Sequence, residues 1–464
     1  MKEDPQLPKP SLWLINFNTF AMNVEYSCLM PTVHHYTEFL GGDAMFYGLL
    51  LSAFSIVRMI VFIPIGWWAD ERPFREVFSV TAAVGMVGCF IYGAAGALGD
   101  KSFLILGRIL TGFGASNTTL SRSYISQCVE ADEFGSVIGK QMVFDLLGVM
   151  LGPALIAIVR DVQVDVGWFH FNEDTAPGYI MAALQLGMLI SFLTIFTEPP
   201  PKKNTTIRKE SIRDDDNENA WAGVRRCLGG GGGWFMVLTT FCVNFQLCSL
   251  ETVATPLMEK NYGWGSLENS VFFAGAAFVG MLGMVSGIKF GKAIGGRVTI
   301  TMGLGCMGAG FALWCAFDSG QILPIVPFLG GGAILIYGIC LVTPSNSAYF
   351  TQVVEYEGGN QGLLGGIWSV FMSAGKSTGP LVAGYALQRM DKGTGNWIIF
   401  VLCLPVLAIN ILSIPAIAGK MGELDKVVEK LSVSVGGGVG SGGGGGGNED
   451  LTDLESSLLQ DFSS

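Results

Sequence analysis

The chain has 464 residues, half of them hydrophobic and only 14% charged, with a formal net charge of −11. Soluble domains are nearer a quarter charged, so composition excludes an ordinary soluble enzyme, a disordered chain and a collagen-like fibre. The acidic balance leaves no basic stripe to neutralise phosphates, which excludes nucleic acid as a partner.

In chain order, the polar stretch MKEDPQLPKP comes first. The apolar segment after it is too long for a signal peptide, so no cleavage is expected. A transmembrane helix needs about 20 apolar residues to cross about 30 Å of hydrocarbon. Six such segments occupy residues 12–33, 45–69, 77–98, 103–125, 137–159 and 178–197. A polar segment from Pro199 to Gly233, carrying PPPKK and RDDDNEN, then interrupts the series. Six more segments follow at 234–258, 270–291, 298–317, 322–344, 363–388 and 396–418. The tail holds a Gly tract from Gly436 to Gly447 and is expected to be largely disordered. The predicted fold is an all-α integral membrane protein with 12 transmembrane helices in two six-helix bundles. Its parts are an N-terminal tail (1–11), a first bundle (12–198), a central loop (199–233), a second bundle (234–419) and an acidic Gly-rich tail (420–464).

Lys and Arg orient these segments. Eighteen fall on one side, seven of them in the central loop (Lys202, Lys203, Arg208, Lys209, Arg213, Arg225, Arg226), against five on the other (Lys101, Arg160, Lys260, Arg389, Lys392). Both termini and the central loop are therefore expected in the cytoplasm. Asn117-Thr-Thr lies within a span and Asn204-Thr-Thr in the cytoplasmic loop, so neither sequon should carry glycan. Cys89, Cys242, Cys248, Cys306, Cys315, Cys340 and Cys403 lie in apolar stretches and no CxxC occurs, so they are read as small packing residues.

The halves repeat at an offset of about 225 residues. Tyr124-Ile-Ser-Gln-Cys-Val-Glu130 sits opposite Tyr349-Phe-Thr-Gln-Val-Val-Glu355. Gly148-x3-Gly152-Pro153 recurs as Gly375-x3-Gly379-Pro380, and Glu25 before Pro31 as Glu251 before Pro256. Parallel repeats of this kind enclose a substrate site near the membrane midplane.

After the second span comes Gly66-Trp-Trp-Ala-Asp70-Glu-Arg72-Pro-Phe-Arg75. Physically this is a tight helix end needing Gly, followed by an acid and bases able to pair across a cytoplasmic gate; a plain charged turn is the alternative. It resembles the signature loop of the major facilitator superfamily, and Gly66, Asp70, Arg72 and Arg75 are accordingly gating candidates. The second-half equivalent, Gly291-Lys-Ala-Ile-Gly295-Gly-Arg297, lacks the Asp. Arg108-x3-Gly112-x-Gly114 resembles a second motif of the superfamily, linked in proton-coupled members to an Arg on the translocation path. Gly148, Gly152 and Pro153 resemble a third, a helix-packing motif that Gly375, Gly379 and Pro380 repeat.

Glu251-Thr-Val-Ala-Thr-Pro256, Tyr262-Gly-Trp264 and Arg122-Ser-Tyr124 are similar to the lysosomal transporter family mutated in one neuronal ceroid lipofuscinosis. Phe171-Asn-Glu-Asp-Thr-Ala-Pro177 is similar to the membrane part of SPX-domain vacuolar phosphate transporters. With about eleven residues before the first span, inositol-phosphate sensing is not carried over. The resemblance, over roughly residues 12–418, implies an endolysosomal or vacuolar carrier for a small anion or polar metabolite.

A charge at the centre of a spanning helix costs roughly 2.5–3.5 kcal/mol, so each such residue needs a cavity or a partner. Glu25 and Glu251 are candidates for proton coupling, or else hydrogen-bonded carboxyls that hold helices together. Arg122 could contact an anionic substrate, pair near the cytoplasm or snorkel. Arg58 and Arg108 are further anion candidates, with Asp145 a structural partner for one of the arginines. Lys376 stands where the first repeat has Val149, and faces either the cavity or an interface. His34 and His35 read as a loop dipeptide, with pH sensing as the alternative.

The expected function is alternating-access transport of a small molecule or inorganic ion, with possible proton coupling, in a lysosomal or vacuolar rather than plasma membrane. Alternatives are an anion-conducting channel on the same fold and a non-transporting scaffold or receptor. Membrane lipid is a partner, and a sorting adaptor is expected at Leu458 and Leu459, which end an acidic dileucine-like stretch from Asp453. No cofactor, metal or enzymatic activity is expected: HExxH, a P-loop and a Ser/His/Asp set are all lacking.

Overall fold

The computed structural model describes residues 9–129, 131–167, 169–199, 224–225, 227–228, 232–316, 325–356 and 361–390. All of them belong to one unit of the chain, Met1–Ala416. The first half contains α1 (Lys9–Cys28), α2 (Val33–Phe39), α3 (Ala44–Glu71), α4 (Phe74–Leu98), α5 (Ser102–Gly114), α6 (Asn117–Cys128), α7 (Ala131–Val159) and α8 (Ala176–Thr194). The second contains α9 (Gly232–Tyr262), α10 (Ser266–Ala293), α11 (Gly296–Ala316), α12 (Ile325–Tyr356) and α13 (Gln361–Met390). Among the described residues, seven helices are long and apolar enough to cross a membrane: α3, α4, α7, α8, α9, α10 and α12. The expected twelfth segment (396–418), the tail with Leu458 and Leu459, and most of the central loop with Asn204 lie outside the described residues.

Local chemistry explains the helix ends. The Asp43 side chain accepts from Phe46 N at 2.8 Å and starts α3. Gly99, at φ +69°, ends α4 in the left-handed conformation a side chain would oppose. The expected span 103–125 is not continuous, because Ala115 and Ser116 separate α5 from α6. There the Ser116 and Thr118 hydroxyls donate to the carbonyls of Phe113 and Ala115, competing with the helical ladder. The first span is shorter than expected: α1 stops at Cys28 and a turn leads into α2. His34 and His35 are therefore helical rather than in a loop. The fold is also not wholly α. Val164–Val166 and Phe169–Phe171 form an antiparallel ribbon before α8.

Glycines let helix backbones touch, and they show the duplication as packing. A Cβ on Gly148 of α7 would lie 2.5 Å from the Phe20 carbonyl oxygen and 2.8 Å from Asn23 Cβ on α1. Gly375 of α13 meets the same atoms of α9, the Phe241 carbonyl oxygen and Asn244 Cβ. One turn on, Gly152 rests on Val24 and Cys28 where Gly379 rests on Phe245 and Ser249. Gly88 of α4 meets Gly107 of α5, and Gly310 of α11 meets Gly331 of α12, in the same way.

These contacts correct one expectation. Phe20 answers to Phe241 and Asn23 to Asn244, so Glu25 falls opposite Gln246, and Glu251 lies more than one turn further along α9. Close-packed backbones admit no slip of register. Matching Glu25 to Glu251 through the prolines that follow them was a coincidence of spacing. Likewise Arg108, next to Gly107, answers to Gly332, and Lys376 to Val149, so the charges of one half are not copied in the other.

The halves meet where α3 packs on α13 and α7 on α10. From α1 through the following turn to α2, the link with α9 keeps a constant register of 225 residues: Tyr26 of α1 with Glu251, the Met30 carbonyl of the turn with Thr255, and His34 of α2 with Glu259.

Candidate functional site

Residues from both halves converge where α1 and α9 face each other. Glu25, on α1, is 3% exposed, and its Oε2 accepts from Gln185 Nε2 of α8 at 2.7 Å. Its Oε1 has no hydrogen-bond partner among the described residues. Arg108, on α5, is 1% exposed, and its guanidinium lies 4.5 Å from the centroid of the Phe54 ring. None of its three side-chain nitrogens has a hydrogen-bond partner among the described residues. An unmade bond from a buried donor costs about 1–3 kcal/mol, so a bare buried guanidinium is an expensive feature.

On the other side of Arg108 lies the second half. The Tyr26 hydroxyl donates to Glu251 Oε2 at 2.5 Å and lies 3.6 Å from Cys248 Sγ. Lys376, Glu251, Tyr26 and Arg108 border one small cavity, while Arg108 and Glu25 border a second. Arg108 is the wall they share. Arg58 donates to Thr118 Oγ1 at 2.7 Å and lies within electrostatic reach of Lys376, as does Asp145. Asp145 accepts from Asn23 Nδ2 at 2.8 Å. The structure thus brings Glu25, Arg58, Arg108, Glu251 and Lys376 into one cluster. Arg122 is on α6, with its side chain outside the described residues.

Sequence reasoning missed Tyr26 and Gln185. Gln185 was detectable as a lone amide in an apolar span. Tyr26 was not, because only the register of α1 against α9 gives it Glu251.

From this level toward α2, hydrogen bonds tie the halves together. Thr255 donates to the Met30 carbonyl at 3.2 Å, Ser52 to the Ser377 carbonyl at 2.7 Å and Gln388 to Asp43 at 2.9 Å. His34 Nδ1 and Glu259 Oε2 are 2.7 Å apart, and Ser266 donates to Glu173. This end is closed by contacts across the halves.

His35 pairs with Asp174, whose carboxylate sits 3.0 Å away and pushes the imidazole up to about 9, with Glu173 and Glu259 adding to the effect. A raised His contributes stability that is complete below its ordinary pKa of about 6.5 and disappears as pH rises through the folded value. Asp174→Asn should therefore lower the melting temperature at pH 6, with the gap to the parent protein closing by pH 10 in a thermal-shift series. The gap should be small, worth less than about 1 kcal/mol, because the His35 side chain is 60% exposed. A gap that widens toward pH 10 would refute the pairing.

At the opposite end the gating candidates differ from expectation. α3 runs through Gly66 to Glu71, and a Cβ on Gly66 would meet nothing within 4 Å, so no tight helix end falls there. The side chain of Asp70 lies outside the described residues, and Arg72 is exposed. Arg75 does not reach across: its guanidinium donates to the Phe196 carbonyl, and its backbone N to Glu198 at 2.8 Å, both within the first half. In the second half the matching turn needs Gly295, at φ +87°.

The family model described as Major Facilitator Superfamily matches residues 15–365. The chain belongs to the major facilitator superfamily. It is a multi-pass membrane protein with the transporter fold of that family, whose members handle small-molecule substrates and are in general not enzymes. Among curated proteins it is 26% identical over 320 residues to major facilitator superfamily domain-containing protein 8 of Xenopus laevis, covering 65% of this chain and 62% of that protein. It is 27% identical over 219 residues to an SPX domain-containing membrane protein of Arabidopsis thaliana, covering 46% of this chain and 31% of that one. The matches thus span less than two thirds of either relative's length.

Solved structures of the superfamily superpose along most of the chain. A bacterial homologue of the human lysosomal transporter Spinster, in an inward-facing and unoccupied conformation, gives a TM-score of 0.67 at 14% identity, covering 89% of this chain and 96% of that one. A D-xylose-proton symporter gives 0.65 at 15% identity, covering 89% and 97%.

Proposed function

We propose that this major facilitator protein is a secondary transporter that moves a small anion or polar metabolite by alternating access, coupled to protons. The observation that carries the reading is Arg108: a desolvated guanidinium without hydrogen-bond partners among the described residues, between Glu25 of its own half and Glu251 and Lys376 of the other. A planar donor fork suits carboxylate or phosphate oxygens. Glu25, whose Oε2 accepts from Gln185, is the group that takes up the coupled proton. Arg58, Lys376 and Arg122 are the further cationic candidates for holding substrate.

Rocking of the halves would break the bonds at the α2 end and open the cluster there. The loop of Gly66, Asp70, Arg72 and Arg75 would act as the opposing gate once the halves approach at that end. The same reading has twelve crossings in two pseudo-symmetric six-helix bundles (12–198 and 234–419), the 199–233 loop and both termini in the cytoplasm, and an endolysosomal or vacuolar membrane as the address. The repeated glycine contacts, the Lys/Arg bias and the named relatives support these points.

The test is reconstitution of the full chain into liposomes with a panel of phosphate, carboxylates, amino acids, sugars and chloride, with and without a pH gradient. Saturable uptake driven by the gradient is expected for one class. Glu25→Gln should abolish gradient-driven accumulation while leaving exchange of labelled for unlabelled substrate. Single-channel currents, or Glu25→Gln accumulating substrate like the parent protein, would overturn the reading.

A further inference from the structure

Behind Arg108, away from the second half, three buried side chains border one small hole: Glu25 of α1, Tyr92 of α4 and Arg108 of α5. They are 3%, 2% and 1% exposed. Glu25 Oε1, the Tyr92 hydroxyl and all three Arg108 side-chain nitrogens are without hydrogen-bond partners among the described residues. Leu29, Cys89, Thr111, Pro177, Gly178 and Met181 complete the lining; the Thr111 hydroxyl donates to the Arg108 carbonyl at 3.1 Å, and the Cys89 thiol beside Glu25 is a weak donor. A Cβ on Gly178 of α8 would come 2.6 Å from Gly93 Cα of α4, and one on Gly107 of α5 would come 2.9 Å from Tyr92 Cβ, so the backbones around it already touch.

The chemistry of the walls restricts the occupant. It must accept from a guanidinium and, with Glu25 ionised, donate to a carboxylate oxygen. A halide accepts but cannot donate, and it would face the carboxylate's charge. A metal cation is repelled by Arg108. An empty hole leaves Glu25 Oε1, the Tyr92 hydroxyl and the Arg108 nitrogens unsatisfied, at about 1–3 kcal/mol for each lost bond. The hole has room for about one water, and a buried water commonly makes about three hydrogen bonds. We propose that this hole is a binding site for one ordered water bonded to Arg108, Tyr92 and Glu25, and that Tyr92 is a positioning residue for Glu25 through it. The water itself does not depend on the transport reading; the role of Tyr92 in setting the pH response rests on that reading.

The water is tested by determining the structure of the full chain, parent and Tyr92→Phe, at a resolution that shows ordered water, in chloride and in bromide. A peak about 2.7–3.2 Å from Tyr92 Oη, an Arg108 nitrogen and Glu25 Oε1 is expected, without bromide signal, and weakened or lost in Tyr92→Phe. An empty hole, an anomalous bromide peak, or Arg108 bonded directly to Glu25 would overturn the site. If Tyr92→Phe yields no folded protein, Arg108→Met must likewise empty the hole, and a retained peak counts against the site. In liposomes Tyr92→Phe should displace the pH midpoint of gradient-driven uptake while leaving saturating exchange within about twofold. An unchanged midpoint would overturn the positioning role. Lack of flux for every solute would sink the transport reading, and the density would still decide the water.

Discussion

Arg108→Met should lower substrate flux by about 30-fold or more while leaving the melting temperature unchanged or raised. Truncating one member of a buried, hydrogen-bonding charge arrangement costs about 2–5 kcal/mol of binding, and the lower bound already corresponds to that fold-change. Stability behaves differently because, apart from the proposed water, the guanidinium has no hydrogen bond to lose within the described residues. Replacing a desolvated charge with an apolar side chain of similar reach is often neutral or stabilising by about 1–4 kcal/mol. The contact with Phe54 offsets part of this, about 1 kcal/mol. Glu25 keeps its bond from Gln185 and can take a proton, so it is not stranded. Arg108→Lys keeps the charge but not the fork, and should recover only part of the flux. Wild-type flux in Arg108→Met, or its failure to fold, would show that the arginine is a structural strut.

Gly148→Val and Gly375→Val should each prevent recovery of folded protein, or cost about 3 kcal/mol or more where folding survives. Overpacking a core usually costs about 1–3 kcal/mol because neighbours shift to make room. Here the obstacles are the Phe20 and Phe241 carbonyl oxygens, which belong to helix backbones and cannot rotate away. Gly66→Ala is the matched control: with open space around it, its melting temperature should stay within about 0.5 kcal/mol of the parent in equivalent stability. Thermal unfolding followed by size-exclusion chromatography separates the three variants. Normal behaviour of Gly375→Val would remove the packing argument for the repeat register.

Much of the scaffold was legible in the linear chain. The apolar segments that became helices among the described residues, and the two Gly-x3-Gly-Pro motifs, are local patterns, since a helix that meets lipid must be apolar over its whole length. The break between α5 and α6 was not legible, because two hydroxyls and the close approach of the Phe54 backbone to Gly112 interrupt an otherwise continuous apolar run. The ribbon at 164–171 escaped for a similar reason: three-residue strands carry too little periodicity to register. Arg75 was read as a cross-gate partner from the charged loop it occupies and that loop's resemblance to the superfamily signature. Its guanidinium donates to the Phe196 carbonyl and its backbone N to Glu198, both just after α8.

The amino-acid sequence by itself determined that the chain is a multi-pass, internally duplicated member of its superfamily, and that Glu25, Arg108, Glu251 and Lys376 needed company inside the membrane. Only the tertiary structure decided who keeps that company. Tyr26 goes to Glu251, Gln185 to Glu25, and Arg108 is left between them with Tyr92 behind. Hydrophobicity is summed along a segment and can be read residue by residue. A hydrogen bond depends on the register of two helices more than a hundred residues apart, and that register is set by where glycines let their backbones touch.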